Sequence, residues 1–466
     1  MSSPNGPERG LPARSHERRG SRGTQSTEPR ITDEAIARLR ERIGIPEPHP
    51  TPPHFLRPGT DAFRHVANAY GDDNPLWCDP DYGKGTCWEG PIGSPGIAGG
   101  DTLVGEDEVP EVPAEHSELM KGDPLRGVHA FYSGSAREWW APLRPDHRVY
   151  RRNALVAVHD KPSEFAERAV HEWTAQAFRD DEGTLLAGQY RLMIRTERSK
   201  ATERKKYDEV EIEPYTEEQI AEIDAQYAGE APRGAEPRWW EDVAEGDDVG
   251  PLVKGPLTVT DMICWHVGVG MGLYGGAPLR LGWRNRQRIP RFYHRDELGV
   301  PDAMQRLHWD PAFARKAGNP TTHDYGRMRE CWLIHLCTDW MGDDAWLWKL
   351  DCEFRKFNYV GDTHWMRGTV TRRYLAEGDR PAVDLEIWGE NQRGETTTPG
   401  HATVLLPSRE HGPVRLPDPP GGATDLEEAL AAVSSALAAP STSGARPARS
   451  ELRAQMEPGN AEMERA

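Results

Sequence analysis

An α+β fold made of two similar halves follows from three observations. A short pattern recurs far apart along the chain. Each copy is followed by β-rich runs that turn back through a polar, glycine-ended tetrad. A helix-compatible stretch precedes the strands in each half instead of alternating with them. Leu76-Trp77-Cys78-Asp79-Pro80-Asp81-Tyr82 aligns with Leu307-His308-Trp309-Asp310-Pro311-Ala312-Phe313, keeping an apolar residue, an Asp-Pro pair and an aromatic in register. Further on, Pro145-Asp146 and Gly361-Asp362 each precede a β-rich stretch.

The tetrads are Asp180-Asp181-Glu182-Gly183 and Asn391-Gln392-Arg393-Gly394, and a polar, Gly-ended loop between β-rich runs is a hairpin signal. They predict antiparallel pairs of Val170 to Phe178 with Thr184 to Ile194, and of Ala382 to Trp388 with His401 to Leu406. In the second half, Gly326 to Trp340 places Met328, Cys331, Trp332, Ile334, His335 and Leu336 near helical spacing, with Gly342 as a stop. A second helix, Thr216 to Ala228, is predicted in the charged stretch between the halves.

With 466 residues the chain is long enough for two domains of roughly 150 to 200 residues and tails. The organisation expected is a disordered tail at 1–30, a first repeat at 31–200, a charged connector at 201–235, a second repeat at 236–408 with an insertion at 270–300, and a Pro/Ala-rich tail at 409–466. The first stretch is rich in Gly, Pro, Ser and Arg and has too few large apolar residues to offset the entropy of ordering. The last carries an Ala-rich helical piece near Asp425 to Ala438 and reads as an appendage.

Against 57 Lys and Arg stand 75 Asp and Glu, a net charge of −18 that repels a nucleic-acid backbone or an anionic membrane. No apolar run reaches the roughly 20 residues of a membrane span, and the start lacks the apolar stretch of a secretory signal, so a cytoplasmic protein is expected. Six cysteines in so long a chain form no disulfide framework, and no pair has zinc-knuckle spacing. The doublets Trp139-Trp140 and Trp239-Trp240, each placed just before a strand-like segment, are read as core packing.

Gly71-Asp72-Asp73-Asn74-Pro75-Leu76-Trp77-Cys78-Asp79 resembles the hydratase motif of the MaoC-like dehydratases and R-specific enoyl-CoA hydratases, roughly Gly-Asp-x-Asn-Pro-(Leu/Ile)-His-x-Asp, at every position but the histidine. Trp240-Glu241-Asp242-Val243-Ala244-Glu245-Gly246-Asp247 is similar to the opening of a MaoC-like domain, and the first half resembles the dehydratase-like N-terminal repeat of double-hotdog members. The resemblance spans most of residues 31 to 408. It implies a tandem hotdog, each half a long central helix wrapped by an antiparallel sheet. It also implies addition or removal of water on an enoyl-CoA or 3-hydroxyacyl-CoA thioester by an Asp and a His acting on one water, with backbone N–H groups at the thioester oxygen. No metal or redox cofactor is implied, CoA being part of the substrate. The expected assembly is a homo-oligomer, or a hetero-oligomer with another hotdog subunit.

The motif parts are divided between the halves. The first keeps Asp72 and Asn74 but has Trp77 at the histidine position; the second has His308 but Ala303 and Gln305 at the Asp and Asn positions. His308 is therefore the expected catalytic group of the second half, with Asp302, one residue out of register, as its acid if the loop is bulged. Asp72 and Asn74 form a vestigial or supporting site, and an Asx-turn alone would account for the same residues. His323, at about the family's distance for a His-Gly pair opening the central helix but followed by Asp324, falls among the substrate-contacting positions, more as a cap than a catalyst. The insertion carries Arg280, Arg284, Arg286, Arg288, Arg291 and Arg295, a basic island in an acidic chain. The planar guanidinium fork suits CoA phosphates, and docking of an acidic partner subunit fits equally.

Three functions remain open on the sequence: the hydratase or dehydratase; a non-catalytic acyl-CoA-binding or scaffold subunit whose partner supplies the full motif; and a hotdog thioesterase using Glu330 on the central helix.

Overall fold

The computed structural model describes residues 29–47, 54–97, 112–163, 167–197, 213–270 and 277–438. The expected disorder at 1–30, except for residues 29 and 30, and at the chain end, and parts of the connector and insertion, thus fall outside the described residues.

In the first half, His129–Trp139 (β1), Val149–Ser163 (β2), Glu167–Asp180 (β3) and Leu185–Thr196 (β4) are long strands. The second half begins with Asp248–Lys254 (β5), and a small hairpin in the insertion pairs Tyr293–Arg295 (β6) with Pro301–Ala303 (β7). Then come Trp346–Glu353 (β8), His364–Ala376 (β9), Arg380–Asn391 (β10) and Thr396–Leu405 (β11). Nine of these make one antiparallel sheet in the order β2-β3-β4-β1-β8-β11-β10-β9-β5. The halves meet at β1 and β8, where Gly134 faces Glu353 and Glu138 faces Lys349. The sheet is thus continuous across the repeat, as two hotdog halves side by side require.

Both predicted hairpins form, and by the same local chemistry. Asp180 Oδ1 accepts from the amides of Glu182 and Thr184, and Asn391 Oδ1 accepts from those of Arg393 and Glu395. Gly183 and Gly394 supply the positive φ, +94° and +70°, that closes each turn. The halves differ at the outer edge. β5 lies beyond β9, whereas on the outer side of β2 the described residues form a single bridge, between Pro46 and Ala154. The first tryptophan doublet is a correction: Trp139 closes β1 instead of preceding a strand, although both of its rings are buried.

The predicted helix of the second half runs Gly326–Met341 and ends at Gly342, φ +80°. It is buried nearly all round, as a helix wrapped by a sheet must be. Its buried polar groups therefore need partners. Glu330 lies between Arg137 of β1 and Arg327, at 2.7 Å from each, and Arg329 lies 3.1 Å from Asp324. The Glu330–Arg137 pair ties the second half's helix to the first half's sheet. The connector helix forms at Glu217–Gly229 behind a Thr216/Gln219 capping box. The Ala-rich piece forms Leu426–Ala438, and far from standing off, it buries Leu426, Ala429, Leu430 and Val433 against Trp140, Tyr150 and Ala175 of the first half. Among the described residues, no helix is long and apolar enough to cross a membrane.

Candidate active site

Each motif is delivered by an equivalent helix, Thr60–Asn68 in the first half and Val259–Val269 in the second. The two helices touch at Gly268, where a Cβ would come within 2.3 Å of the His65 carbonyl oxygen and 2.5 Å of the Ala69 side chain. Only glycine permits that approach.

In the first half Asn74 caps the short helix Pro75–Cys78 by accepting from the Leu76 amide, and Asp72 Oδ1 accepts from the Asn74 amide at 3.0 Å. This is the turn expected from Asp72-x-Asn74-Pro75. Trp77 fills the histidine position and is buried. The histidine that Asp72 meets comes from the other half: His335 Nε2 lies 3.7 Å from Asp72 Oδ1 and 3.2 Å from Asp339 Oδ2. The opposite ring nitrogen, Nδ1, is 2.8 Å from Lys254 Nζ, which also donates to the carbonyls of Tyr70 and Gly71. Burial lowers the Lys254 ammonium from its usual range; in its charged form it donates to Nδ1, which puts the ring proton on Nε2 between the two carboxylates. Burial pushes the Asp72 carboxyl up, the Asp339 carboxyl up to about 7 and the His335 imidazole down to about 3. One ligand atom each from Asp72, His335 and Asp339 lie within 4.8 Å of one another, close enough for a metal ion. In the tautomer that a charged Lys254 selects, His335 Nε2 carries the proton and has no lone pair to bind one. The arrangement is a charge-compensated lock between the halves.

In the second half His308 ends the 3₁₀ turn Met304–His308, half-buried at the N-terminal end of the central helix. Its Nδ1 is 2.7 Å from the His323 carbonyl oxygen, which can only accept, so Nδ1 carries the proton and Nε2 offers its lone pair. Its ring stacks on Tyr325 (centroids 3.8 Å, planes 30° apart) and meets His323 at 4.7 Å. Burial pushes the imidazole down to about 4, so it is neutral near pH 7. The Tyr325 hydroxyl is 2.6 Å from Nε2 of His266, itself buried and pushed down to about 4. Tyr325 is the N-cap of the central helix and makes no side-chain capping bond there, which leaves the first helical N–H groups to another acceptor.

The remaining expected residues fall differently. Asp302 is in β7 opposite His294, and its carboxylate accepts from the Ala303 amide at 2.7 Å; no hydrogen bond or ion pair joins it to His308 among the described residues. Asp324, beside His323, faces Arg329, and burial pushes its carboxyl up to about 7. The cap reading of His323 is corrected: the helix begins at Gly326, and the His323 ring is buried against Phe357 while its carbonyl orients His308. Gln305, at the Asn position, is buried with both amide atoms unpartnered among the described residues. Arg284, Arg286 and Arg288 lie on the helix Leu279–Arg288 and Arg291 in the turn that follows, all at least partly exposed. Arg306, next to the motif, donates back to the Arg295 carbonyl and so ties this island to the His308 turn. Glu330, held by two arginines and fully buried, is not a poised thioesterase carboxylate.

Sequence reasoning passed over Lys254, Asp339, His266 and Tyr325, and counted His335 only as part of an apolar helix. A lysine near the end of an apolar strand and a histidine inside an apolar helix each signal a buried partner, but neither identifies it.

No family profile and no curated protein sequence matches this chain. Solved structures do. A MaoC-like dehydratase is 14% identical with a TM-score of 0.53, the match covering 79% of this chain and 99% of that one. A MaoC domain protein dehydratase from Chloroflexus aurantiacus is 11% identical, covering 83% and 100%, with a TM-score of 0.49. A Mycobacterium tuberculosis protein described as having a double hotdog fold is 11% identical, covering 75% and 93%, with a TM-score of 0.44. The likeness is one of fold: this chain is a double-hotdog protein with the architecture of the MaoC-like dehydratases.

Proposed function

We propose that the chain is a hydratase or dehydratase of acyl thioesters, an enoyl-CoA or 3-hydroxyacyl-CoA, with His308 as general base. The observation that carries this reading is the fixed tautomer of His308, neutral near pH 7, in a ring stacked on Tyr325 at the N-cap of the central helix. In hydration, Nε2 takes a proton from water as the oxygen attacks the β-carbon. Charge then develops on the thioester oxygen, for which the first N–H groups of the helix are the candidate donors. Asp302 would serve only after the β6–β7 hairpin moved. Asp72 and Asn74 support the fold from the neighbouring lock. The test is hydration of crotonyl-CoA and of a bulkier enoyl-CoA by the purified chain, followed as loss of the enoyl absorbance.

A second reading, a binding or scaffold subunit, is favoured by one observation: no carboxylate contacts His308 among the described residues. Under it the chain alone is inert, and activity returns on mixing with a single-hotdog partner. The Arg island separates substrate binding from partner docking. Arg286→Ala with Arg288→Ala is expected to raise the Kd for a CoA ester about tenfold, as loss of charge-assisted phosphate contacts would. The fold should be intact, because exposed arginines contribute little to stability. An unchanged Kd by calorimetry would assign the island to a protein partner.

A further inference from the structure

A hydratase needs a proton donor for the α-carbon as well as a base for water, and the carboxylate that the motif would supply is absent from the second half. From the geometry around His308 we infer that Tyr325 is this donor, held in its donating state by His266; the inference rests on the hydratase reading.

The phenol ring stacks directly on His308, so base and donor form one rigid pair at the helix N-terminus. Its hydroxyl is 2.6 Å from His266 Nε2. Two tautomers of His266 fit that contact, and the other ring nitrogen chooses between them. Nδ1 of His266 is buried and has no partner among the described residues. If the phenol donated to Nε2, Nδ1 would carry an orphaned N–H, the rarer kind of buried vacancy. With Nε2–H donating to the phenol oxygen, Nδ1 is a bare lone pair, and the phenol's own proton is not given to His266. A hydrogen bond accepted by the phenol oxygen also stabilises the phenolate and makes the O–H a stronger donor. Trp309, edge-on to the His266 ring at 5.5 Å, helps to fix its plane.

The step balances. Water loses a proton to His308 Nε2 as its oxygen bonds to the β-carbon. The π electrons move to the α-carbon, which takes the Tyr325 hydroxyl proton. The His308 imidazolium returns a proton to the phenolate through solvent, and both groups are restored. Dehydration is the reverse.

The test uses the full chain and crotonyl-CoA. Tyr325→Phe keeps the stacked ring and removes only the hydroxyl. We expect kcat to fall about 10²-fold with KM little changed, and the alkaline limb of the pH profile to disappear. His266→Leu should lose rate in the same way, and His266→Gln, whose amide restores a donor, should recover part of it; a packing role would not distinguish the two. Tyr325→Phe turnover within about twofold of wild type overturns the assignment and leaves the hydratase reading standing. A wild-type chain that hydrates no enoyl-CoA overturns both. Should Tyr325→Phe fail to fold by circular dichroism, the His266 pair decides, and equal rates for Leu and Gln there overturn the proposal.

Discussion

Replacing His308 by Asn is expected to lower turnover by about 10² to 10⁴, the usual contribution of a positioned acid–base group, with little change in the folded structure. Asparagine is the informative choice because its amide nitrogen can still donate to the His323 carbonyl, as Nδ1 does, while the atom acting as base is gone. The pH dependence follows from the same environment. A base acts only when unprotonated, and burial places this imidazole at about 4. The acid limb of kcat/KM should therefore fall as pH drops through about 4, leaving the rate flat where an ordinary histidine would titrate. An acid limb centred near 6.5, or an Asn variant with wild-type rate, would remove His308 as the base. Asp302→Asn supplies the comparison: with its carboxylate on a local amide, it should leave the rate within a few-fold. A loss as large as that of the His308 variant would show the hairpin rearranging in the bound state.

The second large effect is on stability. Asp72→Ala is expected to cost about 3 to 5 kcal/mol, the range for removing one member of a buried charged network. It would leave His335 with Asp339 as its one remaining carboxylate contact and free the Asn74 amide. Asp72→Asn retains an acceptor for that amide and should cost less. Denaturant unfolding gives the cost directly. In the same variants, turnover per folded molecule should be unchanged, because Asp72 meets His335 and not His308. Normal stability with abolished turnover would reverse the assignment and make Asp72 and His335 the reacting pair.

The parts of this architecture that were legible in the sequence are those made by neighbours along the chain. Asp180 and Asn391 each bind amides within four residues, so the two hairpins could be read from four-letter stretches. The helix Glu217–Gly229 could be read from Thr216 and Gln219, and the stop of the central helix from Gly342. The repeat in register carried His308 to the same kind of turn as Trp77. Against that, the Ala-rich tail looked like an appendage because its buried face meets residues more than two hundred positions earlier.

Sequence alone determined the two-repeat α+β organisation, the hairpins, the central helix and the position of His308, because propensity, turn chemistry and burial period act over a few residues. Tertiary structure decided the partners. Lys254 and His335 are 81 residues apart, and Asp72 reaches His335 only because the first half's loop packs against the second half's helix. His266 reaches Tyr325 from a different helix across 59 residues. A buried polar group announces in the sequence that it needs a partner, but which group answers depends on how the halves close on each other. In this protein that closure gave Asp72 to the lock between the halves and left His308 facing a tyrosine.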